Sequence, residues 1–117
     1  MLIPTMEPDS LNIYVFRAIS SQTRRALLDK LSSREQTVQR LASSFDMTVP
    51  AVSQQLATLR RAGLVTCRRA GRWRVYRLNA GPLREVMAWL RAYERFWVVR
   101  LETLGPDLKP VGELRWR

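Results

Sequence analysis

Ser53 and Gln54 are short polar residues that both donate and accept hydrogen bonds, and they follow Thr48 and Pro50 at a spacing that places them in the first turns of one helix. Such side chains can read base edges. Gln pairs with adenine through N6 and N7, and Ser reaches several edges. A good bidentate pair contributes about 1–3 kcal/mol of discrimination. Thr48 is a good N-cap, and Pro50 in the first turn loses no hydrogen bond by lacking an N–H. Val52, Leu56 and Leu59 recur at i, i+4 and i+7, predicting one buried stripe. Val49, Pro50, Ser53, Gln54, Ala57, Arg60 and Arg61 fall on the opposite face. That face is small and polar at its start and cationic at its end, as a helix entering a major groove requires. The helix N-terminus and Thr48 also suit a phosphate. Alone, the pattern fits an ordinary amphipathic surface helix equally well.

The flanking charge separates these readings. No acidic residue occurs between Asp46 and Glu85, while the same stretch carries Arg60, Arg61, Arg68, Arg69, Arg72, Arg74, Arg77 and Arg84. Solvated surfaces usually mix signs. A one-sign block of guanidinium groups suits bidentate contact with phosphates and bases. Arg68, Arg69, Arg72 and Arg74 crowd around Ala70-Gly71, the tip of a hairpin. Four arginines at such a tip fit a wing that grips phosphate or enters a minor groove. The whole chain carries 20 Lys and Arg against 10 Asp and Glu, a formal charge of +10, which attracts nucleic acid or an anionic membrane.

The elements that must hold these residues follow from periodicity. Residues 1–8, with Pro4 and Pro8, read as a loose lead-in, and Asp9 or Ser10 as the cap of a first helix carrying Val15, Phe16 and Ile19. Ser20 and Ser21 break it and cap a second helix with Ala26, Leu27, Leu28 and Leu31, which Ser32 and Ser33 end. A third helix is expected from about Glu35 to Phe45, with Asp46-Met47 as a tight turn. The helix from Thr48 runs to about Ala62, and Gly63 stops it as a C′ glycine. Strands are expected over 64–69 and 72–78. Pro82 opens a long helix to about Leu104, followed by a flexible tail over 105–117. The expected fold is mainly α with a small β-hairpin, a winged helix-turn-helix spanning 9–104 with a dimerisation helix at 82–104.

The stretch LASSFDMTVPAVSQQLATLRRAGLV followed by RRAGRWRVYRL, with FRAISSQTRRALLDKL before it, resembles the ArsR-type winged helix-turn-helix repressors over about residues 10–104. The resemblance implies a DNA-binding transcriptional regulator, a repressor, with Thr48, Val49, Pro50, Ser53, Gln54 and Gln55 at the start of its recognition helix. It also implies a wing carrying Arg69, Arg72 and Arg74. Helical phase puts Gln55 near the edge of the exposed face. Two departures stand out. Asp46 occupies a turn position where the family often has Gly. Many relatives sense metals through paired cysteines or His and acidic ligands, whereas this chain has no His and a single cysteine, Cys67. Soft and borderline metals need several N or S ligands, so neither a metal site nor another cofactor is expected. Cys67 reads as a small core residue, and a lone thiol fits a reducing, cytoplasmic setting.

Along the last helix, Leu83, Val86, Met87, Leu90, Tyr93 and Trp97 keep three-four spacing. So small a domain cannot easily cover that stripe, so homodimerisation is expected, joined by Tyr14 and Phe16 of the first helix as the family implies. The twofold pair would offer two recognition helices to an inverted-repeat operator in double-stranded DNA. The competing reading is a winged-helix module for protein or RNA partners. An enzyme is not expected, since there is no Gly-rich phosphate loop and no nucleophile elbow. No stretch approaches 18 apolar residues and the N-terminus has no signal-like core, so no membrane association is expected. Operator, regulated genes and any small-molecule effector are not encoded legibly.

Overall fold

The computed structural model describes residues 13–97. The lead-in expected over 1–8, the caps expected at Asp9 or Ser10 and the tail expected over 105–117 lie outside the described residues. The order is α1 (Ile13–Ala18), α2 (Gln22–Ser33), β1 (Gln36–Thr37), α3 (Val38–Phe45), α4 (Val49–Arg61), β2 (Val65–Ala70), β3 (Trp73–Leu78) and α5 (Leu83–Arg91). A 3₁₀ turn at Glu94–Phe96 follows. The chain divides into two compact units, one reaching to Leu83 and one beginning at Arg84.

Local chemistry places most boundaries of the first unit. Ser21 sits at φ −99°, ψ 130°, and its hydroxyl accepts from the Arg24 N–H at 3.2 Å, so α2 starts with a satisfied donor. The third helix is shorter than expected. It starts at Val38, because Gln36 and Thr37 pair with Tyr76 and Val75 of β3. Thr37 then caps α3, its hydroxyl accepting from the Arg40 N–H at 3.2 Å. The expected two-stranded hairpin is therefore a three-stranded antiparallel sheet in the order β1-β3-β2.

α3 and α4 end in the same way. Asp46 takes the left-handed conformation (φ 54°, ψ 45°), with Met47 N–H donating to Ala42 O at 3.0 Å and Asp46 N–H to Ser43 O at 3.3 Å. Gly63 takes φ +78°, with Leu64 N–H donating to Leu59 O and Gly63 N–H to Arg60 O, both at 2.9 Å. Both are Schellman ends, which turn the chain sharply while satisfying the last helical carbonyls. The first sets the angle between α3 and α4. The second delivers the chain from α4 straight into β2.

The core lies between these elements. Val15, Leu27, Leu41, Val52, Leu56, Leu59, Leu64 and Val65 are almost wholly buried. Each contributes about 1.5–3 kcal/mol relative to exposure. Since three of them belong to α4, that helix is clamped against the body by its inner stripe. Phe45, the last apolar residue of α3, is only half-buried.

In the second unit the long helix expected over 82–104 stops at Arg91. Ala92 and Tyr93 form a turn before the 3₁₀ segment, and the positions beyond 97 lie outside the described residues. Tyr93, Phe96 and Trp97 are aromatic residues of modest helix propensity, and no residue of α5 is buried. A short helix without a buried face gains little from propagation. The rings pack on each other instead. Trp89 and Tyr93 meet edge-on at 5.4 Å between centroids, and Tyr93 and Phe96 lie 6.4 Å apart. Among the described residues, no helix is long and apolar enough to cross a membrane.

Candidate nucleic-acid interface

α4 begins at a well-made cap. Thr48 sits at φ −76°, ψ 154°, its hydroxyl accepting from the Ala51 N–H at 3.2 Å, with Pro50 in the first turn. Val52, Leu56 and Leu59 point inward with no measurable exposure. Helical phase then turns Pro50, Gln54, Ala57 and Arg61 directly outward, and all four are exposed, as are Val49 and Arg60. Ser53 is half-buried on one flank of this face. Neither the Gln54 amide nor the Ser53 hydroxyl has a hydrogen-bond partner among the described residues, whereas Thr58 donates to the Gln54 carbonyl at 3.4 Å. The outer face therefore carries hydrogen-bonding capacity that the fold does not consume.

Gln55 differs from its neighbour. It lies on the opposite flank, half-buried, and its Oε1 accepts from Arg24 Nη1 at 2.9 Å. The structure thus turns Gln55 toward α2 and holds it there.

The wing follows from Gly71. Its φ is +65°, while Arg72 keeps a negative φ, the pattern of a type II′ turn with Gly in the first central position. The turn closes on the Ala70–Trp73 pair, one residue later than expected, and sets Arg69 directly opposite Arg74. Side chains alternate along each strand, so Val65, Cys67, Tyr76 and Leu78 share one face, which continues outward as Arg69 and Arg74. Thr66, Arg68, Trp73, Val75 and Arg77 share the other. The base of the wing is fixed to the end of α4. Asn79 N–H donates to Leu64 O, and its side-chain amide donates to Gly63 O, both at 2.8 Å.

The arginines divide into two kinds. Arg68 is paired, its Nη2 standing 2.6 Å from Glu35 Oε2, so it braces β2 against the residue preceding β1. Arg60, Arg61, Arg69, Arg72 and Arg74 have no carboxylate partner among the described residues. Arg72 lies 5.2 Å over the exposed ring of Trp73, a cation–π contact that steadies the guanidinium beside the tip. Trp73 was legible only as a strand residue, because nothing in a local pattern tells a packing ring from a platform.

Behind the wing, Tyr76 is buried and is the cross-strand neighbour of Cys67. Burial raises the phenol above its ordinary value, and the hydrogen bond with Cys67 adds to this, so the ring stays neutral beside so many arginines. Among the described residues, no group of three or more His, Cys, Asp or Glu is placed to hold a metal ion.

The expected dimer surface is partly exposed. Tyr14 on α1 and Met87 and Tyr93 beyond the wing are exposed, while Phe16, Leu83, Val86, Leu90 and Trp97 are half-buried. Within the second unit, Trp89, Leu90, Tyr93, Phe96 and Trp97 line an apolar depression of about 510 Å³.

Comparison with known proteins gives this arrangement its context. Residues 21–66 match the family described as bacterial regulatory protein, arsR family. The transcriptional repressor SdpR of Bacillus subtilis is 34% identical over 76 residues, covering 65% of this chain and 84% of SdpR. The uncharacterised HTH-type transcriptional regulator YuzN of Bacillus subtilis is 36% identical over 85 residues, covering 65% of this chain and 91% of YuzN. Among solved structures, a crystal structure of an ArsR family transcriptional regulator superposes with a TM-score of 0.68 at 31% identity, covering 77% of this chain and 92% of the other.

Proposed function

This chain is a member of the bacterial ArsR family of winged helix-turn-helix regulators, and from that premise we propose that it is a repressor that binds an inverted-repeat operator in double-stranded DNA as a homodimer. α4 lies in the major groove, where Gln54 and Ser53 read base edges and the capped start of the helix at Thr48, with Val49 and Pro50, approaches the backbone without bulk. Arg60 and Arg61 at the far end of α4 and Arg69, Arg72 and Arg74 on the wing hold phosphates. Arg68, engaged by Glu35, acts as a brace, and Gln55 as a support for the helix. Two copies meet through α1, with Tyr14 and Phe16, and through the apolar residues Leu83, Val86, Met87, Leu90, Tyr93 and Trp97, which sets two recognition helices about 34–36 Å apart. Repression follows from occupancy of the operator in the cytoplasm.

One observation carries this reading. Among the described residues, Ser53 and Gln54 on α4 have no hydrogen-bond partner for their side chains, and Arg69, Arg72 and Arg74 in the segment that follows have no carboxylate partner. Like charges opposite each other, as Arg69 and Arg74 are, destabilise a sheet, and a bound polyanion relieves that repulsion. The test is to select bound duplexes from a random pool and sequence them. Enrichment of a palindromic site supports the proposal. Capture of all duplexes alike, or preference for single-stranded RNA, overturns it.

A further inference from the structure

Arg24 spends its guanidinium group within the fold. Its Nε donates to Ala18 O at 2.7 Å and its Nη2 to Arg17 O at 3.0 Å. Both are last-turn carbonyls of α1; Arg17 O also accepts from the Ser20 N–H at 3.2 Å and the Ser20 hydroxyl at 2.7 Å, and a cation at a helix C-terminus is favourable. The remaining arm, Nη1, crosses to α4 and donates to Gln55 Oε1 at 2.9 Å. One planar group thus joins the end of α1, the first turn of α2 and the second turn of the recognition helix.

The chemistry fixes the sense of the contact. Guanidinium only donates, so the oxygen of the Gln55 amide must face it. Gln55 stands on the flank of α4 between the buried stripe and the outward face, where a hydrogen bond resists rotation of the helix about its axis. The apolar stripe resists such rotation less, since hydrophobic contact is not directional. A rotation small enough to leave Val52, Leu56 and Leu59 buried would still move Gln54 relative to a base edge, and base readout depends on that placement.

We infer that Arg24 is a positioning residue for sequence reading: through Gln55 it holds the rotational setting of the recognition helix and takes no part in phosphate binding. The inference rests on the DNA-binding reading above. Arg25 supplies an internal comparison. It lies beside Arg24, carries the same charge and donates from Nη1 to Ile19 O at 2.7 Å, but it makes no hydrogen bond to α4.

The experiment measures affinity for the selected duplex and for an unrelated duplex across a salt series, using the full chain and its Arg24→Met, Arg25→Met and Gln55→Leu variants. Arg24→Met is expected to lower the ratio of the two affinities about tenfold, the scale of one charge-assisted hydrogen bond, and to leave the salt slope unchanged. Gln55→Leu should lower the ratio similarly, and a chain carrying both Arg24→Met and Gln55→Leu no further, because both remove the same link. Arg25→Met should leave ratio and slope at their original values. A slope reduced by about 0.9 in Arg24→Met would make Arg24 a phosphate contact and overturn the inference. Equal losses in Arg24→Met and Arg25→Met, or an unchanged ratio in Gln55→Leu, would overturn it as well. If Arg24→Met does not fold, Gln55→Leu decides alone. Failure of the unaltered chain to prefer any duplex would instead sink the DNA-reading proposal, and it shows before any variant is made.

Discussion

Arg69 on β2 and Arg74 on β3 stand directly opposite each other across the wing. Like charges so placed destabilise a sheet by about 0.2–1 kcal/mol. Arg69→Thr is therefore expected to raise stability by that amount, a thermal midpoint higher by about 1–8 °C, while weakening binding to every duplex alike. The magnitude of the salt slope should fall by about 0.9, one phosphate's share. Thermal melts and salt-dependent titrations check both halves. A lower midpoint with an unchanged slope would remove the wing from the interface.

Gln54→Ala should behave differently. Its amide is exposed and has no partner among the described residues, so folding stability stays within about 0.5 kcal/mol of the original. Sequence preference relaxes by about 1–3 kcal/mol at the positions it reads. Competition between single-base operator variants measures this, and equal losses on all of them would reassign Gln54 to backbone contact.

Gly63→Ala tests the junction between α4 and the wing. At φ +78° an added Cβ meets Pro82 Cγ only at an ordinary 3.5 Å, so crowding is not the issue. The left-handed backbone itself is, and it costs about 1–2 kcal/mol for an L side chain. Denaturant melts should show a loss of this size with the wing still formed.

Tyr76 gives an alkaline signature. Its folded value is raised by burial and by Cys67, so the folded chain holds the phenolic proton more tightly than the unfolded chain. That stability is fully present below the unfolded value near 10 and is lost as pH rises from there through the folded value. Tyr76→Phe keeps the buried ring and should flatten this alkaline limb, as read from denaturant midpoints between about pH 8 and pH 11. An unchanged limb would place the titration elsewhere.

Met87→Glu places a charge on the exposed apolar side of α5. Sedimentation of the two chains side by side is expected to find the original as the proposed dimer and the variant as monomer, with operator affinity falling toward that of one half-site while the first unit remains folded. A dimer that survives the substitution would move the interface off α5.

Much of this protein is written locally. Ser21 and Thr48 as caps, Gly63 as a helix stop, the stripe Val52, Leu56 and Leu59, and the turn at Gly71 all depend on neighbours within a few residues, so their types and spacing announce them. They determine the helix-turn-helix and its wing, and with them which side of α4 faces outward. Tertiary structure alone decided what crosses the fold. Gln36 and Thr37 are too short to show a period of two, and they become a strand only because β3 lies beside them. Glu35 reaches Arg68 across 33 positions and Arg24 reaches Gln55 across 31, so Arg68 and Gln55 each have a partner within the fold that local spacing does not announce. α5 ends at Arg91 although its apolar spacing continues. Periodicity records which face of an element can be buried. It does not record which partner, brought close by the rest of the chain, satisfies a given donor or charge.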